Sequence, residues 1–201
     1  NKKHYFKSNS NNTFNFVRLN IFPDGGVARL KLLGDIDLSK EKLPKNKFNL
    51  ASVLNGAKII ACSDEHFGKA ENLLLPGKSK NMGNGWETKR RRGPGYDWVI
   101  LKLGVKGLIN YFEISTHHFK GNYPLHFSIQ ASLYSNNRDI KKIVQGSLKW
   151  KVLIKDVKLK PNNTLNIKNN NKFNQSINLI KLNIYPDGGI SRFRVFGKSI
   201  K

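Results

Sequence analysis

The chain has 201 residues, 38% of them hydrophobic, and carries a formal net charge of +23 at pH 7. This length and apolar content suffice for a domain with its own core. The lysines and arginines are scattered among asparagines and form no basic stripe with interleaved aromatic residues. We therefore expect no nucleic-acid partner, and a positive surface that attracts small anionic substrates.

Cys62 is the single cysteine, so no intramolecular disulfide can form. It lies in the apolar run AKIIAC, which favours a buried structural thiol over a nucleophile. No apolar run reaches the roughly 20 residues that cross a bilayer, and no hydrophobic signal segment opens the chain. We expect a cytoplasmic protein with no membrane partner.

One segment of the chain occurs twice, because RLNIFPDGGVARLKLLG at 18–34 returns as KLNIYPDGGISRFRVFG at 181–197. Each copy is predicted to form a strand, a turn and a second strand, since Pro-Asp-Gly-Gly is typical of tight turns. In the second strand of each copy, alternation places two residues inward and two on the other face. The inward pairs are Leu30 with Phe193 and Leu32 with Val195, and the others are Arg29 with Arg192 and Lys31 with Arg194.

Between the copies, alternation of apolar and polar residues predicts further short strands. The strands predicted from 98 onward span 98–103, 108–114, 125–133, 148–154, 177–184 and 190–196. In the clearest strand, alternate residues from Leu125 to Leu133 face a core. Only 69–75 has a helical pattern, which Pro76 ends. Many short strands with turns between them predict an all-β antiparallel sandwich or jelly roll.

The repeat also predicts how the chain is divided. Residues 48–201 are long enough for a complete sandwich that ends on the second copy. Residues 1–34 are interpreted as the closing hairpin of a preceding, incomplete sandwich, and 35–47 as a linker. A lone hairpin is only marginally stable in water, so we expect this piece to dock on other structure.

Four blocks of the sequence carry a resemblance to a known family. They are SDEHFGKAENLL at 63–74, NMGNGWETKRRRGPGYDWVILKLG at 81–104, STHHFKGNYP at 115–124, and the repeated PDGG hairpin. The chain resembles allantoicase, a ureide hydrolase of purine breakdown. The resemblance implies two related jelly rolls of the galactose-binding-domain type, with the first copy truncated here. It also implies hydrolysis of allantoate to ureidoglycolate and urea.

The implied reaction replaces a ureido group with water on a carbon that bears a carboxylate. It needs a cation for the carboxylate, an acid for the departing nitrogen and a base for water. Arg90, Arg91 and Arg92 are the candidate cations. His117, His118 and Glu87 are the candidates for acid and base, and the base is left open among them. His117 lies on the more polar face of an extended strand, whereas His118 aligns with the family pattern.

Three further residues are candidates for lining the site. The amide of Asn122 is expected to bond a ureido group, with Trp86 and His66 as neighbours. Each has a structural alternative: a turn at Asn122, a core position for Trp86, and a loop contact for His66. The run Asp64 to His66 lacks the further ligands of a convincing zinc site, so we expect no metal there. The sequence requires no cofactor, and a homo-oligomer is expected.

Three alternatives remain open. Glu87 and the arginines can equally form a structural ion-pair cluster. The family usually has aspartate at the positions of Asn84 and Ser115, which allows a weakened site or one completed by the other repeat. Finally, jelly rolls also serve as non-catalytic modules for carbohydrates or small polar ligands, so a binding module or a decayed allantoicase is the alternative function.

Overall fold

The computed structural model describes residues 2–10, 12–38, 43–134, 148–170 and 176–200. Every strand pairing in it is antiparallel, which confirms the predicted all-β antiparallel class. The strands are β1 Phe48–Asn49, β2 Lys58–Cys62, β3 Trp86–Glu87, β4 Asp97–Ser115, β5 His126–Ser132, β6 Lys151–Lys158, β7 Thr164–Lys168, β8 Ile177–Tyr185, β9 Gly189–Ile190 and β10 Arg192–Ser199. Short 3-10 helices span Val53–Asn55, Ala70–Leu74 and Met82–Asn84.

The long strand β4 takes part in two sets of pairings. Its first part pairs with β2 and β8, and β5 and β6 continue that set. Its second part pairs with β10 and β7, and β1 lies beyond β10. The prediction of two strands, at 98–103 and 108–114, is therefore wrong. A Cβ at Gly107 would lie 2.7 Å from the carbonyl oxygen of Lys198, so this glycine permits close strand approach rather than a turn.

The core is shared by both sets of strands. In β5, Phe127, Ile129 and Ala131 are 0% exposed, as the alternation predicts. Leu125 and Leu133 are 60% and 48% exposed, because both lie just outside the strand, so the inward assignment of these two ends is wrong. Further core residues come from β4, β8 and β10, and include Val99, Leu101, Phe112, Ile114, Ile180, Leu182, Ile184, Phe193 and Val195.

Several element boundaries differ from the prediction. β2 and β7 were not predicted, and β6 begins at Lys151 rather than at 148. The helical pattern before Pro76 forms the short 3-10 helix Ala70–Leu74. Cys62, on β2, is partly buried against the core, and burial together with Glu65 raises the pKa of its thiol to about 11. The thiol therefore stays protonated at neutral pH, in keeping with a structural role.

The N-terminal copy of the repeat differs most from its prediction. The described residues between 2 and 38 form no strand, so the hairpin expected at 18–34 is not formed in this structure. Leu30 and Leu32 are 51% and 66% exposed. No neighbouring strand pairs with this segment in the described part, and an isolated hairpin is marginal. The division at 34 and 47 stays a prediction. No helix among the described residues is long and apolar enough to cross a membrane.

Candidate active site

Several loops meet at the small ribbon formed by β3 and β9. Glu87 lies opposite Gly189 in this ribbon and forms an isolated bridge with Gly68 on its other side. A third loop reaches the ribbon through Phe119, whose ring occupies the space beside Gly85 and Gly189. A Cβ at these two glycines would lie 2.8 Å and 2.0 Å from ring atoms of Phe119. The ribbon therefore fixes the loop that carries both histidines.

Glu87 and Asn122 are joined directly. The Nδ2 of Asn122 donates to Oε1 of Glu87 at 2.5 Å, and the carbonyl oxygen of Asn122 accepts from the Gly189 N–H at 2.8 Å. These bonds fix both the backbone and the amide of Asn122. Because Nδ2 is held by the carboxylate, the amide oxygen is left as the group that can accept from a ligand N–H.

The three consecutive arginines have different environments. The Arg91 N–H donates to the Asp187 carboxylate at 2.9 Å, and its Nη2 lies 2.5 Å from Oδ1 of Asp97, which is 1% exposed. The ion pair between Arg91 and Asp97 is therefore structural, and it holds the loop to β4. Arg90 and Arg92 are exposed, and neither forms an ion pair within the described ranges. Their guanidinium groups face solvent.

The rings of the two histidines lie close together, with centroids 4.0 Å apart and planes tilted by 47°. His118 has φ +73°, a left-handed conformation that is strained for a non-glycine residue. Its Nε2 bonds to the Ser79 carbonyl oxygen at 3.0 Å, and Oδ1 of Asn162 accepts its N–H at 2.9 Å. Ser79 thus holds the ring of His118, and Asn162 holds its backbone.

His117 carries a buried Nδ1 that has no hydrogen-bond partner among the described residues. Burial, followed by the charges of His118 and Lys78, lowers the pKa of His117. A hydrogen bond with the Ser79 backbone opposes this effect and is the smallest contribution. Since the pKa is below its ordinary value, the ring is neutral at neutral pH and can accept a proton.

Trp86 and His66 occupy positions that match their structural alternatives. Trp86 is 0% exposed and its Nε1 donates to the Asp64 carbonyl oxygen at 2.8 Å, so it belongs to the core and offers no surface to a ligand. His66 is exposed and packs edge-on against Phe67 at 4.5 Å between ring centroids. In the described part of the chain, no group of three His, Cys, Asp or Glu side chains is arranged to hold a metal ion.

Sequence reasoning missed the environment of Arg192, which is only 3% exposed. Its Nη1 donates to the Asn84 carbonyl oxygen and its Nη2 to Oδ1 of Asn84, each at 2.7 Å. Ser115 is its partner across β4 and β10. Of the two departures from the family pattern, Asn84 therefore bonds to this guanidinium, and Ser115 lies opposite Arg192 in the sheet. Burial, and then Arg194, lower the pKa of Arg192. The only signal in the sequence was the alternation of Arg192 and Arg194 around Phe193.

The candidate residues thus fall into two groups. Glu87 and Asn122 lie at the β3 and β9 ribbon, whereas His117 and His118 lie against Ser79. No hydrogen bond or ion pair joins Glu87 to either histidine among the residues that the structure describes. The Phe119 ring, packed against Gly85 and Gly189, connects the two groups.

The sequence matches the family model described as the allantoicase repeat over residues 1–37 and 48–200. The chain belongs to the allantoicase family. It is 46% identical over 198 residues to a probable allantoicase of Acinetobacter baumannii strain AYE, covering 98% of this chain and 58% of that protein. It is 45% identical over 199 residues to a probable allantoicase of Pseudomonas syringae pv. syringae strain B728a, covering 98% of this chain and 60% of that protein.

Solved structures of an allantoicase and of a binding module are similar to this chain. The crystal structure of allantoicase from Saccharomyces cerevisiae is 34% identical with a TM-score of 0.66, over 77% of this chain and 44% of that one. A chitosan-binding module from Paenibacillus sp. IK-5 shares the fold at 17% identity and a TM-score of 0.52, over 75% of this chain and 99% of the module. These similarities confirm the jelly-roll architecture. The chain spans less than two thirds of the length of the probable allantoicases, at 58% and 60%.

Proposed function

We propose that this chain provides a catalytic jelly roll of an allantoicase, which hydrolyses allantoate to ureidoglycolate and urea. Membership of the allantoicase family supports this function. The observation that carries it in the structure is that a fixed Glu87–Asn122 pair and a close pair of histidines lie on segments joined through Phe119, whose ring packs against Gly85 and Gly189. A module that only binds sugars does not need such a set of groups. The alternative function as a sugar-binding module is supported only by the shared fold.

The histidine pair supplies the proton transfers. With ring centroids 4.0 Å apart, a proton on one ring disfavours a proton on the other, so the pair holds at most one transferable proton at a time. His117, whose pKa is lowered, is the neutral member and takes a proton from water. His118, held by Ser79 and Asn162, then donates a proton to the departing ureido nitrogen. That nitrogen leaves as part of urea when the new C–O bond forms.

The second group of residues orients the substrate. Glu87 holds the Asn122 amide so that its oxygen accepts a ureido N–H. Arg90 and Arg92 are exposed and attract the anionic substrate, while Arg91 only holds the loop. The partner of the protein is then a small anionic ureide. We also propose a cytoplasmic location, which fits the partly buried, protonated thiol of Cys62.

Urea release from allantoate tests this function in the 201-residue chain and in any longer protein that contains it. We expect His117→Gln to lower kcat by at least about 100-fold, because removing general base catalysis has an effect of this order. Lys155→Ala is the matched control, since Lys155 is exposed on β6 and belongs to neither group of candidate residues. An absence of urea release from both proteins would reject the proposed function.

A further inference from the structure

The segment from Gly77 to Asn84 is held against β10 and the histidine loop by cationic side chains. The Gly77 carbonyl oxygen accepts from Nε of Arg192 at 3.1 Å and from Nη2 of Arg194 at 2.7 Å. Two residues later, the Ser79 carbonyl oxygen bonds to Nε2 of His118 at 3.0 Å. The segment therefore gathers two guanidinium groups and the ring of His118 around two of its residues, Gly77 and Ser79.

The charges in this cluster are not balanced. Arg194 forms an ion pair with Glu113. Arg192 is 3% exposed, yet its partners are the neutral oxygens of Gly77, Asn84 and Ser191. These bonds leave one Nη2 donor of Arg192 without a partner among the described residues. A buried guanidinium that lacks a carboxylate is costly, and Lys78 adds a further positive charge nearby. One carboxylate, that of Glu113, thus stands against two guanidinium groups, so this pair of guanidinium groups is short of one anion.

Two buried polar atoms in the same cluster lack partners in the described structure. They are Oγ of Ser79, a residue that is 5% exposed, and Nδ1 of His117. Buried polar atoms are rarely left unpaired, and such exceptions often mark a place for a ligand or water. The hydroxyl of Ser79 and the spare Arg192 donor both require an acceptor oxygen. A group with two acceptor oxygens and a negative charge would satisfy both requirements.

We propose that Ser79, His117 and Arg192 form a subsite for a small carboxylate. This inference rests on the proposed function and deepens it, because it places the carboxylate of the substrate at the segment Gly77 to Asn84 rather than at Arg90 to Arg92. One carboxylate oxygen accepts from the Ser79 hydroxyl, and the charge is balanced by Arg192. The reacting carbon next to the carboxylate then lies beside His117, the proposed acceptor of the proton from water.

Binding of glycolate, a small hydroxycarboxylate, tests the subsite. Glycolate is titrated into the 15N-labelled 201-residue chain, and the amide signals of the segment Gly77 to Asn84, of His117 and of Arg90 and Arg92 are followed. Glycolamide, its neutral counterpart, is the ligand control. Ser79→Ala removes a hydroxyl that has no partner, so the variant leaves no protein group unpaired and keeps the fold. We expect it to weaken glycolate binding about tenfold, because hydrogen bonds to charged groups contribute on that scale.

Lys155→Ala is the protein control, since it removes an exposed positive charge from β6, outside the segment Gly77 to Asn84. Equal glycolate affinity of the wild type and Ser79→Ala would overturn the subsite, as would shifts confined to Arg90 and Arg92 or an absence of binding. Urea release separates the two proposals. Glycolate binding that depends on Ser79, without any urea release, would keep the subsite and reject the hydrolase. Urea release with the same KM in both proteins would keep the hydrolase and reject the subsite.

Discussion

The two copies of the repeated segment have similar sequences and very different structures. In the second copy, Phe193 and Val195 are 0% exposed in β10, which lies between β1 and β4. In the first copy, the matching Leu30 and Leu32 are 51% and 66% exposed and lie in no strand. The turns themselves agree, since Gly25 and Gly188 have φ of +140° and +131°. A turn is therefore fixed locally by its residues, whereas a strand also needs neighbours.

The largest effect is expected from truncating matched apolar residues of the two copies. Phe193→Ala should lower the free energy of unfolding by about 3–5 kcal/mol, because it leaves a cavity in the core. Leu30→Ala should change it by no more than about 0.5 kcal/mol, since an exposed side chain loses little packing. Urea denaturation of both variants measures the difference. A comparable loss for Leu30→Ala would mean that the first copy is packed in solution.

Matched glycines of the two turns provide the second test. A Cβ at Gly188 would lie 2.8 Å from the Asn122 carbonyl oxygen and from the Pro124 nitrogen, whereas a Cβ at Gly25 meets nothing within 4 Å. Gly188→Ala should therefore cost about 2–4 kcal/mol, from overpacking and a strained φ. Gly25→Ala should cost at most about 1 kcal/mol. Thermal melting of the pair checks this order, and equal melting temperatures would contradict it.

Arg192 and its counterpart Arg29 provide the third test. Asn84→Asp places a carboxylate on the buried Arg192 guanidinium, and should stabilise the fold by about 1–2 kcal/mol at neutral pH. The Arg192 charge lowers the folded-state pKa of the new Asp. The gain is then present above the unfolded pKa of about 3.9 and is lost as pH falls through the folded pKa. Arg192→Gln should abolish the gain and Arg29→Gln should not; a gain that survives Arg192→Gln would refute the pairing.

The smallest effect concerns the pH dependence of stability. The pKa of His117 is lowered in the folded state, so the unfolded chain binds more protons as pH falls. Stability from this group is complete above the unfolded pKa and declines below it, by less than about 1 kcal/mol because solvent screens a partly exposed ring. His117→Gln should flatten the slope between pH 5 and 7, and the exposed-site control His4→Gln should leave it unchanged. Denaturation midpoints across this range measure the slope.

The alternating pattern predicted the core positions of β5 and the second strand of the repeat, because one face of each is buried against other strands. It did not predict that β4 is continuous, since Gly107 marks a close approach to β10 that only the folded chain reveals. The five residues of β7, TLNIK, are too few and too polar to stand out. The local sequence pattern therefore does not predict strand boundaries that depend on a neighbouring strand.

The candidate site shows the same difference between features that the local sequence predicts and features that only the fold reveals. The sequence blocks indicated Glu87, Asn122 and the histidines, but the Glu87–Asn122 bond links positions 35 apart in sequence and needed the fold. The structural alternative paired the arginines with Glu87, whereas in the structure Arg91 pairs with Asp97 and Glu87 bonds to Asn122. The burial of Arg192 could not be predicted from the sequence, because the segment Gly77 to Asn84 covers a face of β10 that alternation assigns to solvent.

The ring of Phe119 fills the space that Gly85 and Gly189 leave empty, although these residues come from three separate parts of the chain. Their sizes must therefore change together during evolution. A methyl group gained at Gly189 is acceptable only in a sequence whose residue 119 has become smaller, and a smaller residue 119 alone would loosen the histidine loop. Among related proteins, a side chain at either glycine position should accordingly coincide with the loss of the aromatic ring.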